Sequence, residues 1–78
     1  MSIVLTRHQS VVLEAIKDFG RPITDAALVP YVQHVGRHSI SSSGVRSRRA
    51  ELADLGLVTQ DGEVKMPSGR MSAKWRAV

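Results

Sequence analysis

The sequence predicts an α+β fold of three helices followed by a C-terminal β-hairpin, and three observations carry that prediction. Apolar residues recur at helical spacing in three segments, about 7–19, 24–35 and 42–55, each opened by a hydroxyl residue suited to an N-cap. Each segment stops at a glycine: Gly20, Gly36 and Gly56. Beyond Gly56 the period changes to two, which is the alternation of half-buried strands.

Thr6 with Gln9 three residues on reads as a capping box, and Val12, Leu13, Ile16 and Phe19 give the first helix, about Arg7 to Phe19, its buried stripe. Arg21-Pro22-Ile23 is extended, because proline biases the residue before it away from the helical region. A short edge strand near Pro22-Ile23 is therefore expected. Thr24 caps the second helix, with Leu28, Tyr31, Val32 and Val35 on its apolar side. Pro30 is awkward inside it, since proline removes a hydrogen bond and crowds the preceding turn. Either the helix bends there or its regular part starts near Val29.

The third helix, about Ser42 to Leu55, is roughly 20 Å long at 1.5 Å per residue. Val45 and Leu52 set its buried direction with Leu55 to one side, and Ser43, Ser47, Ala50 and Asp54 point away. Arg46 sits on the shoulder, and Arg48 and Arg49 flank the apolar stripe on opposite sides. The exposed N-terminal half is small hydroxyls plus arginine, a composition suited to close approach to a backbone.

In the hairpin, Met71, Ala73, Trp75 and Ala77 alternate with Ser72, Lys74 and Arg76. Val64 and Met66 are expected on the apolar face, and Lys65, Lys74 and Arg76 on the outer one. The turn falls at Pro67–Arg70 or at Asp61-Gly62. Helix, short strand, helix, helix, hairpin is the order of a winged helix-turn-helix in one domain, 1–78. Trp75, Phe19, Tyr31, Leu13, Ile16, Leu28, Val45 and Leu52 are its expected core.

The 78 residues leave room for one modest core, and 42% hydrophobic with 23% charged residues argues against wholesale disorder. Without cysteine there is no disulfide and no thiolate metal site, which fits a cytoplasmic protein. No apolar run is long enough to span a bilayer, and Met1–Leu5 is too short for a signal sequence, so no membrane role is expected. Met1 reads as the native start of a small complete protein.

Net charge is +4, and its distribution says more than its sum. No acidic residue occurs from Ala26 to Ala50, which holds Arg37, Arg46, Arg48 and Arg49, or from Val64 to Val78, which holds Lys65, Arg70, Lys74 and Arg76. Two segregated basic segments point to a polyanion. His34 and His38 have a ligand-like spacing, but Gly36 breaks the helix that would align them, and no cofactor or metal is expected. A phosphate contact by His38 is the better reading. No glycine-rich phosphate loop or oriented nucleophile appears, so an enzyme is not expected.

Ser41-x-Ser-Gly-Val-Arg-x-Arg-Arg-x-Glu-Leu through Gly56-Leu57-Val58, followed by Ser68-Gly69-Arg70 and Trp75-Arg76, resembles winged helix-turn-helix proteins of actinobacteria and their phages. Leu5-Thr6-Arg7-His8-Gln9, with Val12 and Ile16 behind it, is also similar to the first helix of the LexA DNA-binding domain. The chain has no counterpart of LexA's linker or protease domain. The resemblance implies double-stranded DNA contact by the third helix and the wing, carried onto Ser42, Ser43, Ser47, Arg46, Arg49 and Arg70.

Arginine pairs with guanine O6 and N7, so Arg46 is the expected base reader, with Arg48 or Arg49 on phosphate or on an internal acid such as Glu14 or Glu51. Arg70 enters the minor groove or is an ordinary turn residue. Arg37, Lys65 and Lys74 complete the candidate DNA-binding set. The expected function is a phage or prophage transcriptional regulator. Its alternatives are a protein-interaction module on the same fold, with a host or phage partner, and an accessory DNA-binding factor in recombination or packaging. Met1–Leu5 and Val78 offer apolar surface for a homodimer.

Overall fold

In a computed structural model, which describes residues 4–78, the capping box at Thr6 is present. Thr6 Oγ1 accepts from the Gln9 N–H at 3.2 Å, and Gln9 Oε1 accepts from the Thr6 N–H at 2.9 Å. Helix α1 then spans Arg7–Phe19 and buries Val12, Leu13, Ala15 and Ile16. The apolar surface expected at Met1–Leu5 lies partly outside the described residues; of the rest, Val4 is exposed and Leu5 packs against the core.

The edge strand β1 is Ile23–Thr24, one residue later than expected, because Pro22 has no N–H to give a ladder. Thr24 Oγ1 caps the next helix by accepting from the Ala27 N–H at 3.2 Å. Helix α2, Asp25–Pro30, begins at its cap and runs through the proline, and the disturbance falls one residue later as a single π turn, Tyr31–Val35. Without an N–H at Pro30 the ladder loosens, and the Gly36 N–H bonds to the Tyr31 carbonyl at 3.0 Å.

The wider turn advances each residue through a smaller angle, which carries Val35 off the buried side. Val35 is 66% exposed while Leu28 and Val32 are fully buried, so Val35 is not part of the apolar face the sequence suggested. Gly36 ends the turn with right-handed φ of −78°. It is glycine because a Cβ there would stand 2.9 Å from the Val32 carbonyl oxygen and 3.0 Å from His38 Cδ2. The left-handed residue is Arg37, φ 55°.

Helix α3, Ser42–Asp54, is capped by Ser41, whose Oγ accepts from the Gly44 N–H at 3.1 Å. Val45 and Leu52 are fully buried, whereas Leu55 falls at the helix end, exposed. Strands β2 (Val58–Lys65) and β3 (Met71–Ala77) form the hairpin, and β3 lies centrally in the order β1-β3-β2. Its turn is at Pro67–Arg70, closed by Met66 N–H to the Arg70 carbonyl at 2.7 Å.

Asp61-Gly62 is a β-bulge inside β2 rather than a turn. Gln60 pairs with Trp75 and Glu63 with Ala73, so β2 carries one extra residue between those pairs, with Gly62 at φ 88°. One inserted residue moves every later side chain to the other face. Lys65 therefore pairs with Met71 on the Trp75 face, and Val64 pairs with Ser72 on the outer face, the reverse of the simple alternation. Val64 is 38% exposed as a result.

Val12, Leu28, Val32, Val45 and Leu52 are fully buried, with Ile23 beside them where β1 meets β3. Phe19, Tyr31 and Trp75, expected in the core, are partly buried at its rim, Phe19 and Tyr31 meeting edge to face at 5.4 Å.

Candidate functional site

The acids sort the arginines of α3 into those held by the fold and the one left exposed. Arg49 sends a two-toothed fork to Asp25 at the start of α2, Nε to Oδ1 at 2.9 Å and Nη2 to Oδ2 at 2.7 Å. Its guanidinium also lies over the Trp75 ring, 4.1 Å from the centroid. With side-chain exposures of 16% for Arg49 and 23% for Asp25, this pair fastens α3 to α2 and to β3. Arg49, expected on phosphate or on an internal acid such as Glu14 or Glu51, is thus held by an acid, and that acid is Asp25. A helical wheel cannot find this partner, because Asp25 lies 24 residues earlier.

Arg48 forks onto Glu51 at 2.8 Å through both Nε and Nη2. Gln9 Nε2 donates to the same carboxylate at 2.9 Å, linking the α1 capping box to α3. The Arg48 hydrogen bonds, then that of Gln9, hold the Glu51 carboxyl below its ordinary range. A carboxyl lowered in the folded state adds stability that is complete above its unfolded value and lost as pH falls through the folded one. Acid melting curves should accordingly show Glu51→Gln with a shallower loss of Tm than the parent below about pH 4.5, the usual glutamate range.

On the hairpin, Arg76 pairs with Asp61 of the bulge at 3.2 Å, and Lys17 of α1 stands 3.8 Å from Glu14. Among the described residues no ion pair holds Arg46, Arg37, Lys65, Arg70 or Lys74. Arg46 and Arg70 stand on the walls of one open groove of about 390 Å³, where the start of α2 and the N-terminal half of α3 face the hairpin end. Met66, Ser68, Met71 and Ser72 complete the hairpin wall. Asp25, the acid at its edge, is the one Arg49 neutralises.

Ser42, Ser43 and Ser47 are exposed around Arg46 on α3, and Ser41 caps it, its Oγ 3.4 Å from that of Ser43. The bulge turns Lys65 to the side of the sheet that carries Met71 of the groove wall. Lys74 is on the reverse face, its stem over the bulge: a Cβ built on Gly62 would meet Lys74 Cε at 3.2 Å. Lys65 and Lys74 therefore do not share a face. Arg37 lies apart, beyond the other end of α2. The sequence reading missed Asp25 as the residue that both occupies Arg49 and edges the groove.

No family model and no curated protein matches this sequence. Solved structures do. One, described as giving insight into the DNA recognition and protein interaction domains of HOP2 and its homologous DNA pairing, superposes with a TM-score of 0.70 at 15% identity over 91% of this chain and 98% of that one. TA0346 from Thermoplasma acidophilum, provisionally designated a transcriptional regulator, gives a TM-score of 0.70 at 12% identity over 91% of this chain and 68% of that one. The fold is a winged helix-turn-helix. In its terms α2 and α3 are the helix pair and the β2–β3 hairpin is the wing. Among the described residues no helix is long and apolar enough to cross a membrane.

Proposed function

We propose that this protein binds double-stranded DNA, with α3 in the major groove and the wing against the adjacent strand. The observation that carries the reading is the sorting of charges. The fold holds Arg48, Arg49 and Arg76 on its own acids and, among the described residues, leaves Arg46 and Arg70 without an ion-pair partner on the walls of one groove. Arg46, with Ser43 and Ser47, reads base edges; Ser42, Lys65 and Arg70 contact backbone or minor groove. No catalytic role and no cofactor belongs to this reading.

The DNA recognition described for HOP2 and the regulator designation of TA0346 support DNA as the partner. The role proposed is transcriptional regulation in the cytoplasm, encoded by a phage or prophage of the actinobacterial type that the Ser41–Val58 motif resembles. The homologous DNA pairing of HOP2 favours a second reading, an accessory factor in recombination. Fluorescence anisotropy with a random duplex tests the shared claim. Binding at low salt that weakens steeply, by about 0.9 in log–log slope for each phosphate neutralised, is expected. Absence of binding to any duplex at low salt would favour the alternative, a protein-interaction module on this fold.

A further inference from the structure

A second cationic hollow lies at the far end of α2 from the wing. Arg7 and His8 of the first turn of α1 and Arg37, His38 and Ser39 of the α2–α3 connector line a space of about 280 Å³, closed by Val11 and Ile40. No carboxylate is among its lining residues, and Arg7 and Arg37 make no ion pair among the described residues. Glu14 and Asp18, farther along α1, share a neighbouring groove with Arg7 and His38 without pairing with either. Two features of the hollow run against local stability. The Arg7 guanidinium in the first turn of a helix opposes its dipole, and an arginine in the left-handed region is disfavoured. Such rule-breaking residues gather where a ligand supplies compensation.

We infer that this hollow binds a DNA backbone phosphate on the strand across the major groove from the wing. The inference rests on the DNA reading above and adds a position to it. The wing groove touches Asp25 and Ala26 at the start of α2, and the hollow touches Arg37, just past the π turn that follows α2. Arg37 is eleven positions beyond Ala26, at most about 16 Å at the helical rise of 1.5 Å per residue. That is close to the width of the major groove, about 12 Å, which is bordered by one backbone on each side. Ser39 is also only three residues from Ser42, so the hollow is within about 11 Å of the start of α3. Helix α3 in the groove thus carries one cationic contact for each bordering strand.

The test is the double variant Arg7→Gln, Arg37→Gly, in the full chain. Glycine suits the left-handed position, and both side chains are exposed, so a thermal melt should show the variant folded. Loss of that one phosphate contact lowers the log–log salt slope by about 0.9, so between about 50 and 200 mM salt the parent should lose roughly three- to fourfold more affinity for duplex than the variant. Inorganic phosphate titrated against the parent should also shift the amides of Arg37–Ser39. A folded variant that binds duplex with the parent's affinity and slope overturns the hollow while leaving the DNA reading intact. Phosphate shifts in a parent that binds no duplex overturn the backbone assignment in favour of a free-anion site. A parent that binds neither duplex nor phosphate overturns both.

Discussion

Arg49→Ala should cost about 2–3 kcal/mol of folding stability and unmask the Asp25 carboxylate at the edge of the wing groove. Removing the guanidinium breaks two hydrogen bonds between charged groups and strands the half-buried Asp25 carboxylate, and hydrogen bonds to charged groups contribute roughly 1.5–3 kcal/mol. The stacking on Trp75 adds about 0.5–2 kcal/mol. Complete burial would make the loss larger; side chains 16% and 23% exposed keep it to the lower figure. For a domain of this size that is a fall in Tm of about 10–20 °C. Arg49→Lys should recover only part of it, because an ammonium cannot reproduce the planar fork or its stacking. Measured where the variant is still folded, duplex affinity should fall less than for Arg46→Ala, through the unmasked Asp25 carboxylate and not through a lost phosphate contact, so the salt slope should stay that of the parent.

Arg46→Ala should do the opposite. Its side chain is exposed and unpaired, so stability should move by less than about 0.5 kcal/mol. Duplex affinity should fall by about 1–3 kcal/mol, with preference relaxed at one base pair. Paired melting and anisotropy measurements on the two variants separate the roles of two arginines three positions apart on one helix. If Arg46→Ala binds specific and random duplex as the parent does, base reading does not belong to that side chain.

Local chemistry made much of this fold legible before any coordinates. The Thr6–Gln9 box, the Ser41 cap and the 3.6-residue period are short-range signals, and α1 and α3 follow them to within one residue. Three features turn on longer-range or subtler causes. The π turn after Pro30 is one of several ways to absorb a missing N–H, and choosing it exposed Val35. The bulge at Gly62 looks like a turn in sequence, yet it exchanges the faces of Val64 and Lys65. The partner of Arg49 depends on how α2 packs across α3.

The candidate site was legible in part for the same reason. A charge count marks Arg46, Arg48 and Arg49 alike, and only the positions of Asp25 and Glu51 separate them. Lys74 looked equivalent to Lys65 until the bulge placed them on opposite faces of the sheet. Arg7 is a local signal of the same kind, a cation in the first turn of α1 where the dipole disfavours it.

Amide chemical shifts of the parent, titrated with a random duplex at low salt, decide whether α3 and the wing form the DNA-binding surface. Shifts should concentrate at Ser42–Ser47 on α3 and at Met66–Met71 around the wing turn, with smaller ones at Arg37–Ser39. Shifts confined to the apolar groove of Val11, Tyr31 and Val35, or none at any residue, would contradict that assignment.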